Sequence, residues 1–265
     1  FLTSGDQFFP GQHIPLKLNK TEDIIDEPEP GCVYAVGVDT ASGSKEGDYS
    51  AYAVVNMTSK PYRIAAWHYN RTPIHKFADK VIQIARKYNE ATAVIEVNNV
   101  GAAVMQDLEL QAYPRLYRRY VYDKLAEKYV EKLGFHTSAQ TRPLILTRLR
   151  RYYADEVLID IPQVLVNEMS SFTYNKKGMP DHTPGTHSDM IFATALALES
   201  ENQLEGVAKA NWEEALRRNK LETPGEIVAF EKSTGRSWKT FELLSDERET
   251  ERNAIHRLID DGLEL

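Results

Sequence analysis

Three carboxylates, Asp39, Glu96 and Asp189, each stand against an apolar run. Asp39 ends VYAVGVD and is followed by the polar, small Thr40, Ala41, Ser42 and Gly43, so a buried segment opens there into a loop. Glu96 lies at the end of TAVIEV, and Asp189 falls in the first turn of SDMIFATALALES. A carboxylate beside buried surface is costly unless it is paired, hydrogen-bonded or bound to a cation. Oxygen donors suit hard divalent ions such as Mg²⁺ or Mn²⁺, and with Cys32 the only cysteine no Cys/His set competes for zinc. Asp48, in KEGDYSAYAVV, is a further candidate metal ligand, and His182 and His187 could contact a metal or a phosphate. Singly, each has a plainer explanation. Glu96 could cap the helix that follows it, Asp189 could answer a helix dipole for about 0.3–1 kcal/mol, and Asp48 and the histidines could be ordinary loop residues.

The elements that must position these groups follow from periodicity. VYAVGVD (33–39), SAYAVVNM (50–57), YRIAAWHY (62–69) and TAVIEV (92–97) are short β-branched or apolar runs between turn-like segments and are expected to be strands. Pro73 followed by Ile74, Phe77, Val81, Ile82, Ala85 and Tyr88 has the spacing of an amphipathic helix. Asn98 and Asn99 are suited to cap a second helix through Val104, Met105 and Leu108, ending before Pro114. The stretch from Arg115 to Ser138 is ambiguous, because LYRRYVY alternates like a strand while DKLAEKYVEKLG could be helical. Thr141 and Pro143 mark a helix entry and VLIDIP a short strand; the run PQVLVNEMSSFTYNKKGMPDHTPGT ends in a turn-rich loop, and SDMIFATALALES begins a helix apolar on nearly every face.

With 265 residues, 42% of them hydrophobic, the chain can bury one substantial core. The first thirty residues, with four prolines and an acidic run, suit a linker, so the fold is expected to begin near Gly31. A main domain over 31–200 and a charged tail of short helices over 201–265 complete the division. No run approaches the roughly 18 apolar residues of a membrane span, and the N-terminal stretch does not have the form of a signal peptide. The net charge of −7 argues against a nucleic-acid partner until its distribution is considered. Residues 111–155 carry ten Lys and Arg against four Asp and Glu, whereas both ends of the chain are acidic. Bound divalent ions also reverse the local field of a carboxylate cluster.

The order of the three carboxylates is more specific than any one of them. A first-strand Asp, a Glu at the end of the strand after the first helix, and an Asp opening a late buried helix resemble the site of RNase H-like nucleases. That likeness implies an α/β fold with a central mixed sheet flanked by helices, followed here by a helical C-terminal extension. It also implies two Mg²⁺ or Mn²⁺ ions about 3.5–4 Å apart, assisting an in-line displacement at phosphorus. Three segments narrow the resemblance to the nuclease half of the large terminase subunit of tailed bacteriophages: VGVDTASGSKEGDYSAYAVV, AVIEVNNVGAAV and GMPDHTPGTHSDMIFATALAL. LGFHTSAQTRPLIL adds Thr141, Arg142 and Pro143, and FLTSGDQFFP looks like the segment joining that family's ATPase domain to its nuclease. The resemblance implies an endonuclease that cuts concatemeric double-stranded viral DNA during packaging, in the host cytoplasm, with the portal protein and the small terminase subunit as partners. It further implies that LYRRYVYDKLAEKYV is a strand-turn-strand excursion, and that the ATPase domain lies outside this chain, which has no phosphate-loop motif. Where the family often carries two adjacent acids this chain has Ser188 and Asp189, which makes Asp48 the candidate for the missing ligand.

Arg118, Arg119, Arg142, Arg148, Arg150 and Arg151, with Lys176 and Lys177 in the turn-rich loop, are candidates for contacts along a DNA backbone. Three other readings share parts of the pattern. They are a RuvC-like resolvase or other RNase H-fold nuclease, an actin/hexokinase-like ATP-binding domain suggested by GVDTASGS, and a DNA-binding or portal-docking module without catalysis.

Overall fold

The computed structural model describes residues 7–9, 22–24, 26–42, 48–98, 100–123, 125, 127–201 and 203. All lie in the first of the chain's two units, Phe1–Glu205. The tail expected over 201–265 falls, apart from residues 201 and 203, outside the described residues.

Along the chain run β1 (Glu22–Ile24), β2 (Tyr34–Asp39), β3 (Ser50–Asn56), β4 (Tyr62–Asn70), α1 (Ile74–Lys87), β5 (Thr92–Ile95) and α2 (Gly101–Leu110). They are followed by β6 (Arg118–Asp123), β7 (Lys128–Leu133), α3 (Thr141–Ala154), β8 (Leu158–Ile159), α4 (Gln163–Ser170), β9 (Phe172–Tyr174), β10 (Pro180–His182) and α5 (Asp189–Glu199). The central sheet has the order β1-β4-β3-β2-β5, with β8 joined to the outer edge of β4. β2, β3 and β4 form an antiparallel meander, while β5 returns parallel to β2 after the α1 crossover. This is the mixed, helix-flanked sheet expected of an RNase H-like fold.

Strand alternation divides the core between two faces. Tyr34, Val36 and Val38 of β2 pack with Ala93 and Ile95 of β5 against Phe77, Val81, Ile82 and Ala85 of α1 and Val104 and Leu108 of α2. Ala35 and Val94 face the other way, into a cluster with Ile145 and Leu149 of α3, Leu165 of α4 and Ile191, Ala195 and Leu198 of α5. Burying one such Ile, Leu or Phe side chain is worth about 1.5–3 kcal/mol. Because α5 packs on the sheet on one side and on α3 and α4 on others, its apolar sequence has no solvent face to keep polar.

Two expectations need correction. The fold does not begin near Gly31: Phe8 and Phe9 are buried against Phe172 and Tyr153, and β1 pairs antiparallel with β4. Aromatic side chains inside a Pro-rich stretch outweigh its linker composition. Nor does Asn98 cap α2, since its amide donates to the Thr137 carbonyl at 2.7 Å and the N-cap position is Val100. The ambiguous stretch is the β6–β7 hairpin, and the turn-rich segment holds a second hairpin, β9–β10.

The C-terminal end of α5 is pinned. Glu199 accepts hydrogen bonds from Arg148 at 2.5 Å and the Tyr117 hydroxyl at 3.2 Å. Glu201 accepts from the hydroxyls of Tyr62 at 2.8 Å and Tyr152 at 2.5 Å.

Candidate metal centre

Asp39 and Glu96 are brought together by register. β2 and β5 run parallel with Val38 opposite Ile95, so the next residues, Asp39 and Glu96, lie side by side at the C-terminal ends of adjacent strands. Two-residue alternation sends Asp39 to the same face as Ala35 and Gly37, and Glu96 to the same face as Val94; that is the α5 face. The Glu96 backbone is held on both sides, by its N–H on the Val38 carbonyl at 3.1 Å and by a parallel bridge to Phe135. Ser50, fully buried, accepts the Ala41 N–H at 3.2 Å and fixes the chain as it leaves Asp39.

Asp189 arrives from above the sheet, and Gly37 sets how closely. A Cβ at Gly37 would stand 2.0 Å from the Ala193 carbonyl oxygen and 2.2 Å from the Ala197 nitrogen, so the backbone of α5 rests directly on β2. Asp189 begins the helix one turn before Ala193 and thus overhangs the end of β2, two residues beyond Gly37.

The three carboxyls sense one another. Burial first, then Glu96 and Asp189, push Asp39 well above the usual carboxylate range, and Asp39 and Glu96 share a side-chain hydrogen bond. Burial, with Asp48 nearby, raises Asp189 to about 7, although the Tyr49 and Asp189 N–H groups bond its carboxylate. Asp189 Oδ2 is buried with no hydrogen-bond partner. Among the described residues no three His, Cys, Asp or Glu side chains are gathered closely enough to grip an ion, so ligation would draw the carboxylates closer than they stand. An all-oxygen donor set, mutual repulsion and an orphaned carboxylate oxygen nevertheless fit a divalent cation.

Glu168 was not foreseen from sequence. It is 5% exposed, its Oε2 accepts the Ile191 N–H at 2.9 Å, and burial raises its carboxyl to about 8. The available signal was its place on the stripe Leu165, Glu168, Met169 of α4, a carboxylate at a core position of an amphipathic helix.

These shifts give a pH dependence with a definite sign. The folded chain holds protons on Asp189 and Glu168 that the unfolded chain releases from about pH 4 upward. The contribution of these two protons to stability is therefore full below about pH 4 and is lost as pH rises toward 7–8, by up to about 1.4 kcal/mol per pH unit for each carboxyl. In EDTA, the melting temperature is expected to fall between pH 5 and pH 8, and saturating Mn²⁺ is expected to flatten the fall. A rise over that interval would contradict the buried-carboxyl account.

The remaining candidates separate into groups. Asp48 is 76% exposed, with Oδ1 at 3.4 Å from His187 Nδ1, while Asp189 Oδ2 is 3.8 Å from the same nitrogen, without hydrogen-bond alignment. Both therefore border the cluster. His182 is exposed and its Nδ1 meets Ser188 Oγ at 3.3 Å. Among the basic residues, Arg148 is turned inward to Glu199. Arg142 pairs with Asp181 at 3.0 Å and lies over the Phe192 ring. Arg118 pairs with Glu131, Arg119 is half-buried, and Arg150 reaches the Tyr174 hydroxyl at 3.3 Å. Arg151 lies over Tyr152, and Lys176 and Lys177 are exposed at the β9–β10 turn.

Comparison with known proteins follows this geometry. Residues 36–201 match the family described as Terminase RNaseH-like domain. The large terminase nuclease from thermophilic phage G20c, solved with bound cobalt, is 17% identical, with a TM-score of 0.54 over 69% of this chain and 89% of that one. The same nuclease with bound magnesium gives the same figures. The large terminase nuclease domain of Thermus phage P74-26 is 16% identical, with a TM-score of 0.52 over 71% of this chain and 89% of that one. At these identities the likeness is one of fold. Comparison with curated proteins found no match.

Proposed function

The chain belongs to the terminase RNaseH-like domain family, and from that premise we propose that it is a metal-dependent endonuclease that cuts concatemeric double-stranded viral DNA during genome packaging. What supports this reading is the hydrogen bond between Asp39 and Glu96 at the C-terminal ends of β2 and β5, with the charge of Asp189, in the first turn of α5, felt at Asp39. Open α/β sheets receive ligands at that edge. The magnesium and cobalt bound to the related phage nucleases favour a divalent ion, with Mg²⁺ or Mn²⁺ as the expected cofactor and two ions as the working number.

Asp39, Glu96 and Asp189 would hold the ions, with Asp48 at the solvent side. When bound, such ions lower the pKa of a coordinated water and stabilise charge on phosphoryl and leaving oxygens. The chain's own part is to fix the donors. Parallel register sets the spacing of Asp39 and Glu96, the Gly37 contact sets the height of Asp189, and buried walls limit water around them. Among the exposed cations, Lys176 and Lys177 at the β9–β10 turn are the pair we assign first to the DNA backbone. Host cytoplasm as the setting, the portal and small terminase subunit as partners, and residues 1–30 as the join to an ATPase domain belong to the same proposal.

The test is nicking of supercoiled plasmid by the 265-residue chain with Mn²⁺ or Mg²⁺, with EDTA and with Asp39→Asn. Metal-dependent nicking lost in the variant supports the proposal; ATP hydrolysis without nicking, or DNA binding without either, refutes it. A second measurement concerns the lysines. Replacing Lys176 and Lys177 together with Ala should weaken DNA binding and reduce the slope of log K against log salt by about 1.8, roughly 0.9 for each phosphate contact. An unchanged slope would remove the β9–β10 turn from the interface.

A further inference from the structure

Glu168 is a carboxylate at a core position, with no cation paired to it among the described residues. The groups acting on it are the Ile191 and Met190 amides, the Tyr69 hydroxyl and another carboxylate, Asp189. Its Oε2 is occupied by the Ile191 N–H at 2.9 Å, an amide two residues beyond Asp189 in α5. Its Oε1 is buried and has no hydrogen-bond partner. The side chain is more than nine-tenths buried; its charge is felt at Asp39, and the charge of Asp189 is felt at it. The α4–α5 packing therefore holds one oxygen in a fixed orientation and leaves the other buried and unsatisfied, in a carboxyl within electrostatic reach of Asp39 and Asp189. Ionising an acid buried in this way is unfavourable unless an ion of opposite charge completes it.

We propose that Glu168 is a fourth carboxylate of the metal centre, its Oε1 donating to a divalent ion shared with Asp39 and Asp189. The proposal rests on the metal-dependent reading above and extends it from three donor residues to four. The amide bond to Oε2 serves as the support that orients a ligand, as hydrogen bonds to ligating carboxylates commonly do. The opposing account is that Glu168 is a neutral acid whose work is only to tie α4 to the first turn of α5. Glu168→Gln separates the two, because Gln keeps an oxygen for the Ile191 N–H and matches a protonated Glu in shape, yet supplies no anionic donor.

The experiment is calorimetric Mn²⁺ titration of the full chain, wild type against Asp39→Asn, Glu168→Gln and Glu168→Met, with circular dichroism to establish folding. Met is included because it removes the charge without a new buried polar atom, so one of the two Glu168 variants remains readable if the other misfolds. The expected result is Mn²⁺ binding in wild type, and affinity reduced about tenfold or more, or one ion fewer, in each folded Glu168 variant. Wild-type affinity and stoichiometry in a folded Glu168 variant, with binding lost in Asp39→Asn, would overturn the Glu168 assignment alone. No Mn²⁺ binding by wild type would overturn the metal reading and this proposal together.

Discussion

Asp39→Asn is expected to abolish cleavage and yet to make the metal-free protein more stable at alkaline pH. Loss of solvent around its carboxyl, then Glu96 and Asp189, raise the pKa of Asp39. Above about pH 8, where the neighbouring carboxyls ionise, an amide at this position removes a repelling charge at nearly constant shape. The expected gain at pH 8.5 in EDTA is about 1–2 kcal/mol, a rise in melting temperature of about 2–8 °C. At pH 5 Asp189 and Glu168 are protonated and the gain should shrink toward zero. Cleavage should move the other way, falling by about a hundredfold or more, since even groups that only support a metal ligand typically cost 10–100-fold when removed. Paired melts at the two pH values and plasmid nicking read both effects. A variant that melts lower than wild type at pH 8.5, or that still nicks DNA at the wild-type rate, would show that Asp39 is not a charge held for a cation.

Gly37→Ala is the second large effect, and it acts through a single methyl group. The added Cβ would lie 2.0 Å from the Ala193 oxygen, 2.2 Å from the Ala197 nitrogen and 2.9 Å from the Ala197 Cα, all backbone atoms of α5. No rotamer change relieves such a clash, so β2 and α5 must part. Overpacking of this kind costs on the order of 3 kcal/mol or more, against a total stability of about 5–15 kcal/mol. The melting temperature should drop by about 6–12 °C. Whatever protein remains folded should bind Mn²⁺ less tightly, because Asp189 is carried on the displaced helix. Thermal melts and Mn²⁺ titration of the variant measure the two consequences. A melting temperature within a degree of wild type would mean that α5 does not rest on Gly37 as described.

Where sequence was informative, it was because one physical rule dominated locally. The β2, β3, β4, α1, β5 succession followed from alternation and from Pro73, since those segments are long, apolar and bounded by turn residues. Asp39 and Glu96 were legible because each ends such a strand. The contact that lowers α5 onto β2 was not, because a glycine in a strand records only that a side chain is missing, not which backbone comes near. Glu168 was hidden for a related reason: its helix is eight residues long, and a lone acid in so short a stripe looks like an exposed position until tertiary packing encloses it. Arg148 shows the converse. Its place in a basic run suggested a phosphate contact, but a buried carboxylate at the end of α5 draws the Arg148 side chain to Glu199, while Arg151, one turn further on, is exposed. Phe8 and Phe9 packed despite surrounding prolines because two aromatic rings are enough to anchor a short peptide to a hydrophobic wall.

The buried glutamates at the far end of α5 give that helix the role of a strut. Asp189 and Glu199 lie about 15 Å apart along a helix that rises 1.5 Å per residue. With Glu199 and Glu201 clamped by Arg148, Tyr117, Tyr62 and Tyr152, the length and phase of the helix alone decide where Asp189 stands over the sheet. A one-residue deletion between the clamps and Asp189 would draw the carboxylate back by about 1.5 Å and swing it by about 100° around the axis. The helix therefore acts as a ruler, and the site tolerates change in its side chains far better than change in its count.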